Sequence, residues 1–548
     1  MKAIYNARVR IKAGEYRQAI LIDGARVAMT GTTRDVLRAL PAGAEKIDAQ
    51  GALAIPAFFD SHLHFMWLGR RAGSVECAGA KSVEEVIERA RRHIAKERPP
   101  AGAYVLGYGV NPDQFSEGPA RDLCRQDIDK ISRDHPIILS RNCGHTIYCN
   151  SLALERAGLC QSAPDVEGGA FEKDENGRPT GVARENAAVM ILAAMPAYTR
   201  GQLLGFARKA TAQARVLGIA ACGSYDSDGA DFNDVSGAYL DLCEEERAAG
   251  RPPLRVSMQC GISLSDEILD ERLRDGPFPK PLWRDDRWGT FLQLGAIKIF
   301  VDGTLGGRTA WMSLPYLDMP GASGFPLLDE AALGRFTRKA AQAGAQVLAH
   351  AIGDACIESV VGAFERVLVD GKNPLRHGII HCQFTRPDLL DRMARAGILA
   401  LVQPIFLEDD IRVVESRIDP RLAQSSYAWA SMISRGVPTS FGTDAPVTGL
   451  DPLRCISWAA LRSDPENPGT HPGGFLPAEK VGADRAFDAY SLASAQSAFW
   501  EASLGRIAPG FFADIALLDK DIFAIDPAEI HAARVLRTLC AGETVYSV

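Results

Sequence analysis

Asp60-Ser61-His62-Leu63-His64 closes an apolar stretch that begins at Ala52. Residues two apart on a strand project to the same side, so both imidazoles point one way. At an inward-facing strand end they can converge on one metal ion. Two ligands do not complete a catalytic metal centre, so partners are expected elsewhere in the chain.

Working outward, apolar strand-like runs alternate with helix-like stretches. The runs are Gly218–Cys222, Leu254–Gln259, Gly295–Phe300, Gln346–His350, Gly378–His381, Ile398–Gln403 and Val437–Gly442. Helical periodicity fills intervals such as Leu328–Ala343 and Ala355–Asp370. With the strand ending at His64 this makes eight, the pattern of an α/β (β/α)8 TIM-like barrel. The interval from His64 to Gly218 is far too long for one connection, so an inserted subdomain after strand 1 is expected at about 72–210. Pro99-Pro100-Ala101-Gly102 and Glu175–Gly181 read as loops within it.

Both chain ends are β-rich. Ala19–Asp23 and Arg26–Thr30 flank the Asp23-Gly24 turn, and Ala513–Asp519 precedes Thr544–Tyr546. A small β-sandwich domain assembled from residues 1–56 and 504–548 is therefore expected, with the barrel at 57–503.

In a barrel, active-site side chains sit at the carboxyl ends of the strands. His62 and His64 end strand 1, His350 ends strand 5 and His381 ends strand 6, while Asp444 directly follows strand 8. The chain has only 10 histidines, so four at strand ends is a concentration that scattered residues would not produce. Nitrogen and carboxylate ligands of this kind suit zinc and related divalent ions. Lys298 interrupts the apolar run Ala296–Phe300, where a free ammonium is costly to bury. It is a candidate for carbamylation, which would make it an anionic ligand; the alternative is an ion pair with Asp302, two residues on.

Composition excludes other classes. The 548 residues carry a formal charge of −7 and 47% hydrophobic residues, which gives no electrostatic footprint for nucleic acid. No window has the apolar run of a membrane span, and the N-terminus lacks the apolar region of a secretory signal. A cytoplasmic location is the expectation. The 12 cysteines form no CxxC pair, and Cys143 and Cys149 are the closest two, so reduced, mostly buried thiols are expected.

These motifs resemble those of the amidohydrolase superfamily, and within it the YtcJ-like branch (amidohydrolase family 3), which includes N-substituted formamide deformylase. Ala54–His64 resembles the PGxxDxHxH pattern, with Ala57 where glycine is usual. Gly107–Asn111, Gly144-His145 with Asn150-Ser151, Lys298–Gly303 with Arg308–Ala310, and His350–Asp354 resemble further segments of the branch. So do Arg376 with His381, Gln403-Pro404, Gly442–Pro446 and the Ser503–Asp514 tail. Ala220–Asp226 departs from the usual TTVHD-type segment, and Ile380-His381-Cys382 stands where Glu-His-Ala is common.

The resemblance implies metal-assisted hydrolysis of an amide-type C–N bond in a small molecule. Zinc, as one or two divalent ions, would be held by His62, His64, Lys298, His350, His381 and Asp444, with Lys298 as an N6-carboxylated bridge in a two-ion arrangement. Asp444 would be general base and acid, and His145 a second catalytic candidate. Tyr108, Asn111, Phe115, Trp311 and Arg462 are candidate pocket residues, in a pocket expected between the barrel mouth and the insertion. Cyclic amide or lactone opening or deamination with the same site is an alternative, and a non-catalytic regulatory barrel another. The expected partner is a small-molecule substrate, with no nucleic acid and no membrane; a homodimer is left open.

Overall fold

The computed structural model describes the whole chain except residues 119–120, 142–145, 167–168, 227–230, 262–268, 271–272 and 275. The described chain separates into two compact units, Met1–Met66 with Leu203–Val548, and Trp67–Gln202.

The first unit contains the barrel. Its parallel strands are β1 (Phe58–Leu63), β2 (Ile219–Tyr225), β3 (Arg255–Gly261), β4 (Gly289–Phe300), β5 (Val347–Ala351), β6 (Gly378–His381), β7 (Leu399–Val402) and β8 (Thr439–Phe441), hydrogen-bonded in that order. Most are buried along their whole length, as strands covered on both faces must be. Helices such as Glu330–Gln342 and Asp354–Glu365 fill the intervals. β4 begins six residues before the expected Gly295, because a hairpin at Asp285–Gly289 adds the antiparallel strand Lys280–Asp285 to its start. The charged residues Arg284–Arg287 hid that hairpin from an apolar-run reading.

The apolar run that opens at Ala52 is two strands in two sheets. Leu53–Pro56 pairs with Arg8–Lys12 and Ile515–Leu518, whereas β1 pairs with β2. The switch takes one residue: the Ala57 N–H donates to Asp514 O and the Phe58 N–H to Gly218 O, each at 2.9 Å. Leu53–Pro56 lies in a six-stranded sheet that also holds Val535–Cys540 and Glu543–Ser547 from the far end of the chain. A four-stranded sheet of Lys2–Tyr5, Ala19–Asp23, Arg26–Gly31 and Glu45–Asp48 shares its core with it, through residues such as Ile4, Ile22, Val9, Ile515 and Leu539.

The barrel seam between β8 and β1 is closed by a carboxylate as well as by backbone. The Asp444 N–H donates to His62 O (2.9 Å) and the His64 N–H to Ala445 O (2.8 Å). Buried Asp60 accepts from the Thr443 N–H and hydroxyl, the Tyr490 hydroxyl and the His62 N–H. Gly442 is required there, since a Cβ would stand 2.7 Å from Asp60 Oδ1 and 2.8 Å from His62 N. Asp60 thus ties β1 to the segment that follows β8.

The second unit is a mixed sheet ordered Gly169–Lys173, Pro179–Glu185, Thr146–Cys149, Ile137–Arg141, Val105–Val110 and Val75–Glu76. The helix Val83–Glu97, capped by the Ser82 side chain, packs Val86, Ile87 and Ala90 into its core. Every described cysteine is a free thiol. No helix among the described residues is long and apolar enough to cross a membrane.

Candidate metal centre

The carboxyl ends of β1, β4, β5, β6 and β8 bring their polar residues to one place. His62, His381 and Asp444 each offer a ligand atom, and these atoms lie within 4.8 Å of one another. Asp444 Oδ1 is 3.3 Å from Nε2 of His62 and 3.2 Å from Nε2 of His64. The His350 and His381 ring centroids are 4.5 Å apart, and Lys298 Nζ is 3.4 Å from His62 Nε2. Lys298 is 1% exposed and Asp444 4%, so water does little to solvate their charges.

The tautomers follow from partners that can only accept. Gln259 donates Nε2–H to Ser61 O (3.1 Å), which leaves its Oε1 2.6 Å from His62 Nδ1. Gln403 donates to Leu401 O (3.1 Å), which leaves its Oε1 2.9 Å from His381 Nδ1. Both Nδ1 atoms therefore carry hydrogen, and both Nε2 atoms present lone pairs. His350 is reversed: its Nε2–H donates to Gly303 O at 3.0 Å, so Nδ1 is its acceptor.

This arrangement fits a divalent cation. His62 Nε2 and Asp444 Oδ1 are two acceptors 3.3 Å apart, and Asp444 Oδ1 is buried without a hydrogen bond. Such a pair repels unless a positive charge lies against it. Burial, reinforced by the Lys298 charge, lowers the His62 pKa to about 4 and that of His350 to about 3. Burial also holds His381 well below its usual value. All three are neutral at physiological pH, the form that ligates metal.

Asp302, the expected alternative partner of Lys298, uses its oxygens elsewhere. It accepts from the backbone N–H groups of Ile352, Gly353 and Trp311, at 3.1, 2.9 and 2.9 Å. It thereby pins the loop after β4 to the turn after β5, next to His350. The divergent Ala220–Asp226 segment has a supporting role of the same type. Buried Asp226 accepts from the Met66 N–H, Ser224 and Tyr239, and Ser224 accepts from the Phe65 N–H, which fixes the chain just past His64.

The expected pocket residues fare unevenly. Arg462 is fully buried, donates to the carbonyls of Phe475 and Tyr427 and stacks on Trp429, with its Nη2 buried and without a hydrogen bond. Phe115 belongs to the hydrophobic core of the second unit. An apolar ring or a strand-flanking arginine reads alike in sequence whether it lines a pocket or fills a core. Trp311 is half-buried with its N–H on Asp302. Tyr108 and Asn111 lie in the second unit, Tyr108 beside Arg71 and Asn111 at the start of a short 3-10 turn. His145 lies outside the described residues. The rings nearest the ligands are ones the sequence reading missed: Tyr225 at 5.5 Å from His64, Phe300 at 5.1 Å from His350 and Phe406 at 5.7 Å from His381. Each closes or follows a barrel strand, as Gln403 does, and Gln259 lies two residues before the end of β3, so the strand-end logic that found the histidines points to the same rim.

The amidohydrolase family profile matches residues 45–546. The Bacillus subtilis (strain 168) protein named as amidohydrolase YtcJ is 32% identical over 100% of this chain and 99% of its own. N-substituted formamide deformylase of Arthrobacter pascens is 26% identical over 99% and 98%. Among solved structures, an uncharacterized metal-dependent hydrolase from Pyrococcus horikoshii OT3 superimposes with a TM-score of 0.78 at 25% identity, over 96% of this chain and 99% of that one. The chain belongs to the amidohydrolase family, and its fold is one found in metal-dependent hydrolases.

Proposed function

We propose that this amidohydrolase cleaves an amide-type C–N bond of a small molecule, with Asp444 as general base and then general acid. The observation that carries the reading is the buried Asp444 Oδ1, unpartnered and facing the lone pair of His62 Nε2. His62, His64, His381 and Asp444 would hold a divalent cation, zinc by ligand type, with His350 through Nδ1 and Lys298 as an N6-carboxylated ligand completing a two-ion set. When bound, the cation supplies Lewis acidity and makes a water acidic enough to ionise near neutral pH.

The residues do the rest. With a cation held beside it, Asp444 would stay ionised, so it can take the proton of the attacking water. It returns that proton to the leaving nitrogen, which would otherwise depart as a poor anion. Asp60 and Thr443 hold the Asp444 backbone against β1, which keeps the base in register with the ligands. Tyr225, Phe300 and Phe406 give the ligands an apolar wall that strengthens these charge interactions. The activity named for the Arthrobacter relative makes N-substituted formamides the first substrates to try.

A zinc-loaded preparation tested on N-substituted formamides and linear amides should release amine. Opening of cyclic amides or lactones with no cleavage of linear amides would move the assignment to ring hydrolysis, and turnover of none of these would overturn it.

A further inference from the structure

We propose that Gln259 and Gln403 are positioning residues that set the metal affinity of the centre, and that Gly223 is the slot through which Gln259 reaches it. The inference rests on His62 and His381 being metal ligands. His62 is on β1 and Gln259 on β3, with β2 between them. Gln259 is in register with Tyr225 of β2, two residues beyond Gly223. Its amide crosses the strand at Gly223 to meet both Ser61 O and His62 Nδ1. A Cβ on residue 223 would lie 2.4 Å from Ser61 O and 2.7 Å from Gln259 Nε2, so any side chain there evicts the glutamine. The β1–β2 register also slips between Cys222 and Ser224, the irregularity that a glycine in a strand commonly marks.

Gln403 repeats the device on the other side of the barrel. It follows β7, donates to Leu401 O one strand away from His381, and turns its Oε1 to the His381 Nδ1–H. Gln259 and Gln403 are 4% and 3% exposed, so neither imidazole can substitute water for its partner. Each glutamine donates to a backbone carbonyl, which leaves its oxygen no choice of orientation. The acceptor on each Nδ1–H is therefore a neutral amide held rigidly. A neutral acceptor fixes the tautomer but donates less electron density to the ring than a carboxylate would. The two glutamines thus orient the ligands fully while holding metal affinity below the attainable value.

The test is the zinc dissociation constant of the full-length protein, measured by competition with a chromophoric chelator, beside the thermal midpoint of the metal-free form. Gln259→Leu and Gln403→Leu should each weaken zinc binding by about tenfold to a hundredfold. Gln259→Glu should bind zinc at least as tightly as wild type, a rescue that a role in packing alone would not give. Gly223→Ala, whose Cβ meets both Ser61 O and the Gln259 amide, should weaken zinc binding at least as much as Gln259→Leu does. Leucine variants that bind zinc within twofold of wild type, or a glutamate variant as weak as the leucine one, would overturn the proposal and leave the metal centre standing. Wild-type protein that binds no zinc would overturn the centre itself.

Discussion

The two ends of the barrel bury charge in opposite ways. At the amino end, Arg255 opens β3 and is 1% exposed. It donates to Asp514 Oδ2 (2.8 Å) and Thr290 O (2.6 Å), and its guanidinium lies between Phe291 and Phe512, at 4.0 and 4.2 Å. Asp514 Oδ1 accepts in turn from the Ala541 N–H at 2.6 Å. Donors meet acceptors throughout, and the cluster binds the barrel to the terminal sheets. At the carboxyl end, acceptors crowd together: His62 Nε2 and Asp444 Oδ1 face each other at 3.3 Å, with Lys298 Nζ 3.4 Å from His62 Nε2 and Asp444 Oδ1 left without a hydrogen bond. His381 (φ +75) and Asp444 (φ +58) both leave their strands in the left-handed region. The amino end is arranged for stability, and the carboxyl end gives up stability for a ligand.

That contrast breaks if mutations at the two ends behave alike. Asp444→Asn has the largest expected effect. It should lower kcat about 10³- to 10⁴-fold, while zinc content and thermal midpoint stay close to wild type. Wild-type turnover by that variant would remove Asp444 from its role. Arg255→Met should do the reverse. Leaving Asp514 buried without its partner should cost about 3–5 kcal/mol in urea unfolding, with kcat of the folded fraction unchanged. An Arg255 variant as stable as wild type would mean the amino-end cluster contributes nothing.

Lys298→Ala sharpens the picture of the carboxyl end. It should lose about a hundredfold in turnover. Short-chain carboxylic acids should restore part of it by supplying the missing carboxylate; full activity in the untreated variant would rule the carbamate out. The smallest effect belongs to His377, which precedes β6 at the amino end. Its Nδ1 accepts from the Val347 N–H (3.1 Å), its ring stacks on Phe364, and burial lowers its pKa to about 4. The unfolded chain binds this proton near pH 6.5 and the folded one only near 4. Its stabilisation is therefore complete above pH 6.5 and lost as pH falls through about 4. The urea midpoint should decline over that window, and His377→Phe should flatten the decline.

The cluster of His62, His381 and Asp444 at the carboxyl rim was legible because barrel geometry and chain periodicity act together. An HxH at a strand end must face one way, and later strands must end at the same rim, so the positions of His350, His381 and Asp444 followed. What stayed illegible depends on distances that cross strands. Gly223 reads as an ordinary strand glycine until Gln259 is seen passing it. Phe115 and Arg462 have the composition of pocket residues, and only burial shows that they hold cores. The break at Ala57 was hidden because an apolar run does not reveal which sheet receives each residue.

The central claim is that the carboxyl end of the barrel is a metal centre. Elemental analysis of purified protein after dialysis against zinc, wild type beside His62→Ala/His381→Ala, tests it most directly. Stoichiometric zinc in the wild type, lost in a double variant that keeps its far-UV spectrum, is the predicted result. Equal zinc in the two proteins would contradict it.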